Sequence, residues 1–168
     1  MQPQADLPQD SPEAASGAVD HVLGPVQDFH LSIDFGDLNW LAILVATIVS
    51  FVLGGLWYGP LFGKAWMAAV GKTEEQIREE GTAGRAMGIS FLTQVVASTM
   101  LAIVFQLIGL EGWDDGAVLG ALIGVGFIAT SMASDYAFCN WGSRLWLIQS
   151  GYRIVYTALS GAILGQWL

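Results

Sequence analysis

The sequence predicts an all-α membrane protein, a bundle of four transmembrane helices with both termini extracytoplasmic. Three observations carry that expectation. Only 12% of the residues are charged, against about 25% in an ordinary soluble domain. The charges are also segregated: seven of the fifteen acids precede Leu38, and four more fall between Glu74 and Glu80. Outside these clusters lie four apolar stretches, each long enough for the roughly 30 Å hydrocarbon core of a bilayer.

Residues 1–36 come first and read as an acidic tail. They hold four of the five prolines, no Lys or Arg, and only scattered apolar residues. Such a stretch buries too little surface to offset the entropy of ordering, so it is expected to be mostly disordered. Its start lacks the positive n-region of a signal peptide. A short amphipathic turn over residues 26–33 is its one candidate element.

Residues 37–168 form the membrane domain. The first span covers residues 38–57 without a charge, the second about 86–110, the third 116–138 and the fourth 145–168. Each can cross as a helix with some tilt. A helix is required because backbone polar groups in lipid must be satisfied within the segment. The ten-residue alternation of a transmembrane β-barrel is absent.

Orientation follows from Lys and Arg. The loop over residues 58–85 carries Lys64, Lys72, Arg78 and Arg85, and the third-to-fourth loop carries Arg144. The tail and the second-to-third loop carry none. The first of these loops is therefore expected to be cytoplasmic. It opens with Trp57, Tyr58, Phe62 and Trp66, placed as an aromatic belt would be. Pro60 is expected to stop the first helix. Thr73 followed by Gln76 reads as a capping box opening a short helix to about Glu80.

Small residues recur at four-residue spacing in three spans: Ala42, Ala46, Ser50 and Gly54; Gly116, Gly120 and Gly124; Thr157, Gly161 and Gly165. Helices in lipid associate through close backbone approach, which such residues permit. The stripes serve either packing within one chain or a homo-oligomer or partner-protein face. The second span has a polar version in Ser90, Gln94, Ser98, Ala102 and Gln106. Gln94 and Gln106 need partners, because an unsatisfied amide in hydrocarbon costs several kcal/mol. They are expected inside the bundle, either bonding between helices or lining a polar path.

Asp135 and Arg153 are the charges well inside predicted spans. The third and fourth helices are joined by a short turn, so they are antiparallel neighbours, and a buried Asp135–Arg153 ion pair is expected. Ser131, Ser134, Gln149 or Tyr152 would add hydrogen bonds to offset the ~2.5–3.5 kcal/mol cost of an arginine at membrane depth. The pair either pins helix register or forms part of a transport site.

Other chemistries find little support. Six Lys and Arg without a basic stripe argue against nucleic acid. The single Cys139 excludes an internal disulfide and a Cys-based metal site. Both histidines, His21 and His30, precede the first span, so no span holds a haem ligand. No cofactor and no metal is expected.

Asn39 and Trp40, the run from Gly54 through Trp57, Tyr58, Pro60 and Phe62 to Gly63, and then Trp66 together resemble an uncharacterised membrane family. It is the domain of unknown function family 1761, found largely in bacteria. Gly151-Tyr152 and the stretch from Gly161 to Gly165 are similar to its last span. The resemblance covers residues 38–168 and implies a four-helix protein of the bacterial plasma membrane; it implies no reaction.

The expected function is that of a multi-pass membrane component or subunit that is not an enzyme, with the lipid bilayer as its first partner. The alternative is a small oligomeric transporter or channel using Gln94, Gln106, Gln149, Asp135 and Arg153. An intramembrane enzyme ranks last, because no nucleophile, base and metal set lies within the spans.

Overall fold

A computed structural model describes residues 33–167, and every regular element among them is helical. Helix α1 runs Trp40–Leu56 and continues as a π-helical turn over Trp57–Leu61. Two short helices follow, α2 (Gly63–Val70) and α3 (Glu74–Glu79), and then the long α4 (Ala83–Ile108). Helix α5 (Trp113–Ile123) passes through a π-helical stretch, Gly124–Ala129, into α6 (Thr130–Cys139). Helix α7 spans Ser143–Trp167. The tail expected over residues 1–36 lies outside the described residues up to 32, as do both histidines and all but the last residue of the amphipathic turn.

The helix ends follow from local chemistry. Asn39 caps α1, its side-chain oxygen accepting from Ala42 N at 3.0 Å. The capping box at α3 forms as expected: Gln76 N donates to Thr73 Oγ1 at 3.3 Å and Thr73 N to Gln76 Oε1 at 2.9 Å. Helix α4 ends at Gly109 (φ 62°) and α6 at Asn140 (φ 53°), both left-handed, a conformation that glycine and asparagine adopt most readily.

Pro60 does not stop the first helix. The chain stays helical to Leu61, with Phe62 N bonded to Trp57 O at 2.8 Å. In an α-helix the proline ring would collide with the carbonyl four residues back. The wider π turn relieves that collision, and proline has no N–H to leave unpaired.

Three helices are long and apolar enough to cross a membrane: Trp40–Leu61, Ala83–Ile108 and Trp113–Cys139. Their outward faces are apolar, with Leu41, Leu44, Ile48 and Val52 exposed on α1 and Leu92, Val96 and Met100 on α4. Apolar surface on that scale suits lipid rather than water. Helix α7 matches them in length at 25 residues but is more polar, and it occupies the middle of the bundle. It packs on α1, α4, α5 and the π stretch.

Interhelical contacts set the directions. Ser50 bonds Ser160 and Asn39 bonds the Trp167 carbonyl, so α1 and α7 are antiparallel. The Phe51–Phe91 ring contact and the Gln106–Asp34 bond make α1 antiparallel to α4. Along α5 and α7 the backbones nearly touch. A Cβ on Gly116 would collide with the Gly161 carbonyl, one on Gly120 with that of Thr157, and one on Gly165 with that of Gly112. The small-residue stripes of the third and fourth predicted spans therefore face each other within the chain, while Ser50 and Gly54 of the first face Ser160 and Tyr152 of the fourth.

A Gly120→Leu substitution should force α5 and α7 apart and lower stability by about 1–3 kcal/mol. Gly126→Leu, whose Cβ would meet nothing within 4 Å, should change little. Thermal unfolding of the two variants in detergent compares them directly.

Candidate functional site

The residues of the first-loop signature meet α7 at one end of the bundle, here called the signature end. Trp57 donates its indole N–H to the Ile148 carbonyl at 3.0 Å. Gly151 leaves room for that ring, since a Cβ there would lie 3.3 Å from Trp57 Cζ2. Gly54 does the same for Tyr152, whose hydroxyl donates to the Ser50 carbonyl at 3.2 Å. Tyr58 stacks edge-on against Tyr152 (5.3 Å, 66°) and Trp66 (6.0 Å, 76°), while Trp57 lies 4.6 Å from Phe62. Gly63 is required where the π turn closes, because a Cβ would strike the Tyr58 carbonyl. The other two signature residues sit at the opposite end: Asn39 donates to the Trp167 carbonyl at 3.0 Å and Trp40 to that of Phe35 at 3.3 Å.

Arg153 lies beside this aromatic cluster, and the expected ion pair with Asp135 does not form. Among the described residues the ion pairs are Lys72–Glu80 and Arg78–Glu75, both in the loop region between α2 and α4. Arg153 is half-buried and donates from Nε to Met132 Sδ at 3.1 Å. Asp135 is exposed on α6. The physical reason is a mismatch of level. The glycine contacts set the register, with Gly124 against Ile154, so Arg153 is level with about residue 125 and Asp135 lies about ten residues nearer the end of α6, roughly 15 Å along the axis. Arg153 does lean toward the signature end, as side chains lean toward a helix N-terminus, but it reaches only the level of Met132. Ser131 and Ser134 are exposed, and Gln149 is half-buried one turn from Arg153.

The two glutamines of α4 are not placed alike. Gln94 is 6% exposed, and its Nε2 has no hydrogen-bond partner among the described residues. The register set by Phe51–Phe91 and Gln106–Asp34 puts Gln94 level with Thr47, whose hydroxyl is also buried without a partner. Gln106 sits at the far end and is half-buried: its Nε2 donates to the Asp34 carbonyl at 3.1 Å, while its Oε1 is buried without a partner among the described residues. Gln94, Gln106, Gln149, Asp135 and Arg153 therefore do not share one path. Nearer Arg153, a cavity of about 230 Å³ opens between α4, α7 and the π stretch, lined by apolar groups with Ser98, Tyr156, Thr157 and Ser160.

The sequence reasoning missed Tyr136, Tyr156 and Met132 around Arg153, and the Ser50–Ser160 bond of 2.8 Å. Spacing on α7 carried the missing signal: Gln149, Arg153, Tyr156 and Ser160 fall within about 60° of arc, a polar and aromatic face hidden among apolar neighbours.

Two substitutions separate engaged from unengaged buried polar groups. Ser50→Ala should cost about 1 kcal/mol by depriving the Ser160 hydroxyl of its partner. Gln94→Leu should be neutral or stabilising, because the amide it removes has an unpaired donor. Thermal unfolding in detergent reads both, and a Gln94→Leu loss as large as that of Ser50→Ala would show that the amide is engaged.

No curated protein and no solved structure matches this chain. One family profile does, over residues 41–165. That interval holds the π turn at Trp57–Leu61, the glycine contact of α5 with α7, and the tyrosine face around Arg153. The chain belongs to the family described as protein of unknown function (DUF1761).

Proposed function

We propose that this chain is a multi-pass protein of the bacterial plasma membrane with four spans. Its role is that of a non-enzymatic membrane component or subunit. The observation that carries the reading is the position of α7. The three helices apolar enough to cross a membrane surround it, and it runs their full length antiparallel to α1 and α5. Its 25 residues span roughly 37 Å, more than the roughly 30 Å of hydrocarbon. Its low apolarity is tolerable because Ser150, Thr157 and Ser160 are buried against protein. Orientation is supported by Lys64, Lys72, Arg78, Arg85 and Arg144, all at the signature end, against Glu111, Asp114 and Asp115 at the other. The signature end is then cytoplasmic, and Asn39 and Trp167 lie on the extracytoplasmic side.

The non-enzymatic reading is supported by how the buried hydroxyls are used. Ser50 bonds Ser160, Ser150 the Trp146 carbonyl, and Thr157 the Arg153 carbonyl. They hold and shape helices rather than pairing with a base. The bacterial setting is taken from the resemblance of the signature loop.

Cysteine accessibility tests the topology. In a Cys139→Ser background, Glu79→Cys should react with a membrane-impermeant maleimide only after cells are opened. Asp114→Cys and Gln166→Cys should react in intact cells. If Gln166→Cys instead follows Glu79→Cys, α7 does not cross and the four-span reading fails.

A further inference from the structure

The face of α7 that carries Tyr156 and Ser160 is covered by α4, across the cavity lined by Ser98 and Leu101. Toward the signature end that cover stops. Residues 83–90 of α4 are all exposed, and the first buried residue of that helix is Gln94. Arg153 and Gln149 continue the same face of α7, so they lie in a recess that α4 has already left.

Donors crowd this recess and acceptors are scarce. The side-chain bond Arg153 makes goes to the thioether of Met132 at 3.1 Å, a weak acceptor. No carboxylate stands within ion-pair distance of it among the described residues. Tyr136 lies one turn from Met132 on α6, Tyr156 lies one turn from Arg153 on α7, and the Tyr58 ring packs at 5.3 Å on Tyr152, the residue next to Arg153. Tyr136 and Tyr156 are 8% and 9% exposed. Of the tyrosines here, Tyr152 has a hydrogen-bond partner for its hydroxyl; the other three have none among the described residues. A half-buried cation without a carboxylate, beside hydroxyls that no described group engages, suits a ligand with negative charge and several acceptor oxygens.

We propose that the recess binds a phosphate-type oxyanion, with Arg153 as the anchoring cation and the hydroxyls of Tyr58, Tyr136 and Tyr156 as further donors. The guanidinium fork matches two oxygens of such a group, and tyrosine O–H groups donate to the others. The anion has two sources of the same chemistry: the headgroup of an anionic lipid in the leaflet at the signature end, or a free anion from the adjoining water. The head of Arg153 reaches Met132, seven residues or roughly 10 Å from the end of α6, a depth that snorkelling side chains bridge. The lipid source rests on the membrane reading above; the free-anion source does not.

The test uses the full chain in nanodiscs of phosphatidylcholine with and without phosphatidylglycerol. Native mass spectrometry reads retained phosphatidylglycerol. Intrinsic tryptophan fluorescence reads inorganic phosphate titrated into phosphatidylcholine discs. Wild type should bind at least one of the two probes. Arg153→Gln should weaken that binding about tenfold, and Arg153→Lys should restore part of it. The double variant Tyr58→Phe, Tyr136→Phe should weaken it less than Arg153→Gln does, and it decides the matter if Arg153→Gln fails to fold. Retention of phosphatidylglycerol that millimolar phosphate does not displace assigns the lipid source; binding of phosphate alone assigns the free anion. The proposal is overturned if wild type binds neither, or if folded Arg153→Gln or the double variant binds as wild type does. Recovery of the chain in the soluble fraction would instead sink the membrane reading, while the phosphate titration would still report on the recess.

Discussion

The fold depends on the near-contact of two backbones. Along α5 and α7 the carbonyls of Gly112, Gly116, Thr157 and Gly161 occupy the space where the facing helix would carry a Cβ. In lipid there is little hydrophobic drive to bring helices together, so close packing and the dispersion it permits must do so. Glycine at the facing positions, Gly116, Gly120, Gly161 and Gly165, makes the contact possible. Once α7 is seated in that groove, its remaining sides are open to α1 and α4. A helix too polar to face lipid comfortably is then enclosed by three that face it well.

That enclosure is uneven along the bundle. The half away from the signature end is filled by aliphatic side chains and one ring, with Leu38, Ile43, Leu101, Phe105 and Leu164 at its centre. The signature half uses directional contacts instead. Two indoles bond backbone carbonyls there, Trp57 to Ile148 and Trp146 to Ala129 at 3.0 Å each. Each bond has one end in a π-helical stretch, where the ladder is widened and helices are most easily adapted to a special contact. Tyrosine and tryptophan suit this half, because each pairs a large apolar body with a polar tip.

The consequence for function is an opening where the aliphatic core ends. Helix α4 covers α7 through its second half and then diverges, leaving Arg153 bordered by tyrosines and a thioether instead of a carboxylate. The signature run and the Gly151-Tyr152 motif, far apart in the chain, are brought into contact at this place: Gly54 and Gly151 each make room for a ring of the other segment. The most distinctive sequence of the chain is thus spent on building this end of the bundle.

By itself the sequence determined the helical class, the family, the approximate extents of the long helices, the segregation of Lys and Arg, and the capping box at Thr73. It also showed which helices could approach closely, through the glycine spacing. These are local or one-dimensional patterns, written in hydropathy, charge and short-range hydrogen bonding. What only the tertiary structure decided was how the helices are registered and turned against one another. Hence Asp135 was legible as a buried partner for Arg153 by sequence distance, yet it is exposed and roughly 15 Å off level. Gln106 was legible as an interior amide, and its Oε1 is buried, yet its Nε2 bonds the chain just before α1. Pro60 was legible as a stop, yet the turn widened around it because Trp57, Tyr58 and Gly63 close on α7 and on each other. Register and azimuth arise from the summed packing of several helices, and no single segment carries that information.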